Sequence, residues 1–159
     1  MFPYLGDAVC KMLGAAMGAS RAAVDAGLRN IMVSNGFMSP ECLDRLGPVM
    51  HAANIDLKGF TDDFYQHTCG ADLGAVLDTL EYVRHETDVW LEITNLVIPT
   101  KNNEISLVKE MCIWIKRELG TDVPLHFSRF YPLHKLQRLP STPISMLEKT
   151  RAVALSCGL

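Results

Sequence analysis

The chain has 159 residues, 48% apolar and 21% charged, and 15 Lys and Arg set against 18 Asp and Glu give a net charge of −3. These are the proportions of an ordinary globular protein, long enough for one domain that buries roughly 68–70% of the surface of its unfolded chain. The two signs are interspersed, so no basic stripe for nucleic acid exists, and no apolar run reaches the ~20 residues of a membrane span.

Five cysteines, Cys10, Cys42, Cys69, Cys112 and Cys157, are scattered along the chain without zinc or cluster spacing. The N-terminus has no cationic lead-in, and Asp7 and Lys11 interrupt any apolar leader core. Free thiols in a reducing compartment are the expectation, and the cytoplasm is the expected location.

Residues 1–14 carry no assignable pattern. Ala15 to Ala26 are good helix formers, and Gly27 stands where helices commonly stop. Leu28 to Ser34 is a short apolar strand that runs into the Asn35-Gly36 turn. Ser39 then caps a helix opening with Pro40 and Glu41 and ending near Met50, with the acid placed to suit the helix dipole.

The next strand, Asn54 to Gly59, alternates Ile55 and Leu57 on one side with Asn54, Asp56 and Lys58 on the other. A strand packed on both faces of a parallel sheet reads as unbroken Val, Ile and Leu, whereas this one carries an acid and an amine at alternate positions. That face calls for water, a ligand or an ion pair. An exposed edge strand with an incidental Asp and Lys fits the six residues equally well, and the rest of the chain decides between the two.

Thr61-Asp62-Asp63 is a short capped turn, and Leu73, Val76, Leu77, Leu80 and Val83 recur at helical spacing. Val89 to Pro99 is a third strand that repeats the polar face, with Leu91 and Ile93 on one side and Glu92 and Thr94 on the other. Val108, Met111, Cys112, Ile115 and Leu119 mark a helix ending at Gly120. Leu125 to Tyr131 is a fourth strand, and Thr142-Pro143 caps a last helix that stops at Gly158.

Strand and helix alternate four times, which predicts parallel strands joined by right-handed crossovers. With polar residues on one face of two strands, the fold class is α/β, a partial (β/α) barrel whose inner face lines a site at the carboxyl ends of its strands. Four β/α units do not close a barrel, so an incomplete half-barrel, truncated or in need of a partner, is expected.

Val-Ser-Asn-Gly at 33–36, Asn-Ile-Asp-Leu-Lys-Gly-Phe at 54–60, Leu-Val-Ile-Pro at 96–99 and Ser-Arg-Phe-Tyr-Pro at 128–132 occur in that order. Together they resemble radical SAM enzymes of the pyruvate formate-lyase activating enzyme type, with the closest likeness to the AmmeMemoRadiSam-system group, from about Ala19 to Leu159. The resemblance implies that residues 15–159 are the C-terminal part of a partial (β/α)6 barrel domain. It also implies S-adenosylmethionine and a [4Fe-4S] cluster as cofactors and reductive cleavage to a 5′-deoxyadenosyl radical, with the substrate open between a protein or peptide, such as a glycyl-radical partner, and a small molecule. By that resemblance Asn35, Asp56, Lys58, Ile98, Pro99 and Tyr131 bind the cofactor. An ammonium at Lys58 suits its carboxylate, and Asp56 suits its amino group, its sulfonium or a bound cation.

Tyr131 stands where many relatives have His. Alternation from Leu125 and Phe127 turns His126 and Ser128 inward, and bringing Tyr131 inward as well calls for a bulge near Arg129. The Cys-x3-Cys-x2-Cys loop of the family is absent from the sequence, and Cys69 reads as a packing residue. A cluster-bearing N-terminal half is the expected partner. Two other readings stay open: a barrel aldolase forming a Schiff base through Lys58, and a non-catalytic half-barrel that serves as an interaction module.

Overall fold

The computed structural model describes residues 5–159, those before Gly14 by their backbone only. Helix α1 (Leu5–Asp25) begins well before the predicted Ala15. Then follow β1 (Ile31–Ser34), α2 (Pro40–Leu46), β2 (Ala52–Asp56) and a single turn, α3 (Asp62–Phe64). Next come α4 (Leu73–Glu86), β3 (Trp90–Val97), α5 (Ile105–Trp114), β4 (Leu125–Arg129) and α6 (Ile144–Cys157).

The four strands lie in the order β1-β2-β3-β4 with every neighbour parallel. This is the expected α/β half-barrel, and its parallel pairing follows from a helix between each strand and the next. Among the described residues, no helix is long and apolar enough to cross a membrane.

One face of the sheet is covered and the other is open. Ala53, Ile55, Leu91 and Ile93 point to the helices and are almost wholly buried against Val76, Leu80 and Val83 of α4 and Met111 and Ile115 after β3. Their alternates Asn54, Asp56, Glu92 and Thr94 lie half-exposed on the opposite face, beside Val33 of β1 and His126 of β4. Burial of the apolar set drives the fold, since each fully covered Ile or Leu contributes about 1.5–3 kcal/mol.

Three expectations are corrected. Strand β2 ends at Asp56, not Gly59. The reason is that the backbone of residues 57 and 58 bonds to side chains: Leu57 O accepts from Asn95 Nδ2 at 2.7 Å, Lys58 O from Asn102 Nδ2, and Lys58 N donates to Tyr65 Oη at 3.0 Å.

The bulge near Arg129 does not form, because the ladder runs in unbroken register from Ile93 opposite Leu125 to Val97 opposite Arg129. Nor does Thr142 cap the last helix. Pro143 holds the cap position without a side-chain bond, while the buried Thr142 hydroxyl donates to Val97 O and accepts from Phe130 N at 3.1 Å. Thr142 therefore straps the ends of β3 and β4 together.

Candidate functional site

The carboxyl ends of β1, β2 and β3 converge on one recess. After β1, Ser34 Oγ accepts from Gly36 N and Asn35 Oδ1 accepts from Phe37 N at 3.1 Å, so two side chains shape the turn. Gly36 has φ +73°, and a Cβ there would meet Ile55 Cγ2 at 2.7 Å. The turn is thus pressed onto the core at a position where only glycine fits. With its oxygen committed to the backbone, Asn35 keeps its amide N–H groups for a ligand.

After β2, the Lys58 ammonium is ion-paired with Asp56, both side chains being about one-third exposed. Behind them the chain is held by the buried Asn95 and Asn102. Asn102 is a hub: its Nδ2 reaches Lys58 O and Leu96 O, and its Oδ1 takes Ile98 N at 2.6 Å. Gly59 lets the chain pass the Phe64 ring, whose Cδ1 would lie 2.5 Å from a Cβ. The result is a backbone fixed at residues 57 and 58 by groups from β3, from the turn after it and from the Tyr65–Cys69 segment, with the Lys58 ammonium paired to Asp56.

Asn35, Lys58, Leu96 and Ile98 share a cavity of about 330 Å³ with Tyr65, Cys69 and Leu136. The lining combines the polar Asn35 and Lys58 with the apolar Leu96, Ile98 and Leu136, a mixture suited to a ligand with a charged head and a flat apolar body. Burial pushes the Cys69 thiol up, and Lys58 pulls it partly back. Tyr65 is raised further by its burial. Both therefore stay protonated at neutral pH and serve as walls and hydrogen-bond partners, not as nucleophiles.

The other residues singled out in the sequence lie elsewhere. Pro99 is buried behind Ile98 and does not line the cavity. Tyr131 is 58% exposed and is bound to Arg129, whose guanidinium lies 4.9 Å over its ring and whose Nη1 reaches its hydroxyl at 3.2 Å. Arg129 Nε in turn bonds Thr142 O at 2.8 Å.

Sequence reasoning missed Asn95, Asn102 and Tyr65, since nothing local to them points to residues 57 and 58. Among the described residues, no group of three His, Cys, Asp or Glu is placed to hold a metal ion. Cys42, Cys69, Cys112 and Cys157 are free thiols.

No protein-family profile matches the sequence. The chain is 42% identical over 133 residues to an uncharacterized protein of Methanocaldococcus jannaschii, and the match takes in 84% of this chain but 39% of that protein's length. Among solved structures, a domain of pyruvate-formate lyase-activating enzyme from Bacteroides vulgatus superposes with a TM-score of 0.74 at 15% identity, over 93% of this chain and 88% of that one. TYW1 with a lysine-pyruvate adduct bound superposes with a TM-score of 0.58 at 17% identity, over 84% of this chain and 42% of that one. At such identities the likeness is one of fold, and the fold is the partial barrel that the motifs in the sequence imply.

Proposed function

We propose that this chain is the cofactor-binding part of a radical SAM barrel, nearest to the AmmeMemoRadiSam-system group, and that the Asn35, Asp56, Lys58 and Ile98 recess takes S-adenosylmethionine. The observation that carries this is that Lys58, ion-paired with Asp56, lines a largely apolar cavity at the strand ends. Four motifs in order and the likeness in fold to an activating-enzyme domain support it.

The donor set fits an amino-acid head joined to a nucleoside. In this reading the Lys58 ammonium bonds the carboxylate, Asp56 accepts from the amino group, and Leu96 and Ile98 pack the flat base. Asn35 supplies amide donors at the rim. Asn102, Asn95 and Tyr65 keep residues 57 and 58 from shifting as the ligand binds, which lowers the ordering cost of binding.

The iron-sulfur cluster does not fit the described residues, which offer no set of ligands for it. We therefore assign the cluster to a separate cluster-bearing segment or partner, and with it the reductive cleavage that yields a 5′-deoxyadenosyl radical. A protein or peptide acceptor of the glycyl-radical type is the substrate proposed for the assembled enzyme.

Titrating the chain with S-adenosylmethionine by calorimetry, and following iodoacetamide labelling of Cys69, tests the reading. Saturable binding that slows labelling is expected, and Lys58→Ala should weaken it by roughly 10–100-fold, the value of one charge-assisted bond. Binding unchanged in Lys58→Ala, or no binding by a folded chain, would overturn it.

A second reading draws on the lysine-pyruvate adduct named for TYW1. Lys58 could form such an adduct only as a free amine, and its pairing with Asp56 opposes this. Borohydride trapping with pyruvate and simple aldehydes decides the matter: a reduced adduct on Lys58 supports this reading, and an unmodified Lys58 removes it.

A further inference from the structure

The open face carries a second constellation outside the lining of the recess, with Asn54 and Glu92 one pair below Asp56 on that face and Thr94 and His126 level with it. Register places Asn54 opposite Glu92 and Thr94 opposite His126, so three neighbouring strands present polar side chains side by side. Glu92 is their centre. Its Oε1 accepts from Trp90 Nε1 at 3.2 Å, and its Oε2 accepts from His126 Nε2 at 3.0 Å and from Asn54 Nδ2 at 3.5 Å. Thr94 Oγ1 donates to Asn54 Oδ1 at 2.8 Å, which turns the Asn54 amide so that its N–H groups face Glu92.

We propose that Glu92 and His126 form a proton-accepting dyad on the open face, serving a small ligand that bears an O–H or N–H beside an apolar body. The tautomer follows from the chemistry of the partners. The bonds from Trp90 and then His126 hold the Glu92 carboxyl below its ordinary range, so it is ionised at neutral pH and can only accept.

His126 Nε2 must therefore donate, and Nδ1 is left as the acceptor of the neutral ring. Nδ1 takes no hydrogen bond among the described residues, and the side chain is 51% exposed. In the step assigned here, Nδ1 takes the proton of the ligand's O–H or N–H, the bonding pair stays on that oxygen or nitrogen, and the resulting imidazolium faces the Glu92 carboxylate.

The apolar surface beside it is Trp90, which is fixed by its bond to Glu92 and leaves more than half of its surface open. Ile31 and Val33, more exposed still, lie on the same face at the far edge of the sheet, on β1. The proposal does not depend on S-adenosylmethionine, because none of these groups lines the recess at Lys58.

Acylation by diethyl pyrocarbonate, mapped peptide by peptide across the five histidines, tests the dyad. Glu92→Gln should slow acylation of His126 several-fold while His51, His67, His85 and His134 keep their rates. Equal His126 rates in the native chain and the variant would overturn the proposal. Should the variant unfold, all five histidines would react faster together, and the native chain then supplies the deciding measurement. Phenol, with an O–H on an apolar ring, should protect His126 from acylation, and anisole, which lacks the proton, should not. Equal protection by the two, or none by phenol, would overturn the proposed ligand class.

Discussion

The two faces of β2 and β3 are made from alternate residues of the same strands, yet they do opposite work. Ile55 and Ile93 are fully buried under the helices, while Asn54, Glu92 and Thr94, one position away in each strand, form a connected polar network open to solvent. The difference teaches that parity along a strand divides stability from chemistry. Substitutions on the covered face should change folding and leave the open face's chemistry intact, and the reverse should hold across the pleat.

The largest test is Ile93→Ala against Thr94→Ala. The first opens a cavity beneath α4 and α5 and should cost about 2–5 kcal/mol, whereas the second removes one half-exposed hydroxyl and should cost less than about 1 kcal/mol. Urea denaturation followed by tryptophan fluorescence reads both. Equal losses would break the division between faces.

Next comes Asn102→Ala, which sits where the division fails. Asn102 is buried, yet it holds the backbone from which Lys58 projects. Removing it leaves Ile98 N and the Lys58 and Leu96 carbonyls without their partner, so a loss of about 2–3 kcal/mol is expected. Weaker S-adenosylmethionine binding in the same variant, measured well below its unfolding midpoint, would sharpen the view that a core residue positions the site. Thr142→Val should follow at about 1–2 kcal/mol, because the Thr142 hydroxyl serves both Val97 O and Phe130 N in a dry site.

The fold was legible because its signals are local. Period-two alternation at 54–57 and 91–94 and helical spacing at 73–83 each lie within one element, and their order alone implies a parallel sheet with one polar face. Asp56 and Lys58 stood out for the same reason. What lay hidden depends on distant partners. Leu57 O meets Asn95 across 38 residues of sequence, and Lys58 O meets Asn102 across 44.

Thr142-Pro143 has the local pattern of a helix cap, and its hydroxyl is claimed instead by a carbonyl 45 residues away. Tyr131 fitted a motif by position, but the unbroken register of β4 leaves it on Arg129. Glu92 and His126 were each visible as inward residues. Their pairing required the register of β3 against β4, which no single stretch of sequence contains.

The smallest expected effect is the pH dependence carried by Glu92. Its carboxyl lies below the ordinary 4.5 because Trp90 Nε1 first, and His126 next, donate to the charged form. Near that value the unfolded chain binds more protons than the folded one, so stability rises with pH. The contribution is complete above the ordinary carboxylate value and is lost as pH falls through the lower folded value. With the group half-open to water, screening keeps it below about 1 kcal/mol.

Asp122, lowered by Arg84, and Glu41, lowered by the Ser39 hydroxyl, give the same sign and supply an acid limb that any Glu92 variant retains. Urea midpoints measured from about pH 3 to pH 7 should therefore place Glu92→Gln slightly below the native chain at neutral pH, the two curves converging in acid. Curves that diverge as the pH falls would mean that the Glu92 network stabilises the protonated carboxyl. In that case Glu92 would not be held as an anion, and the open face would lose the charge on which its chemistry depends.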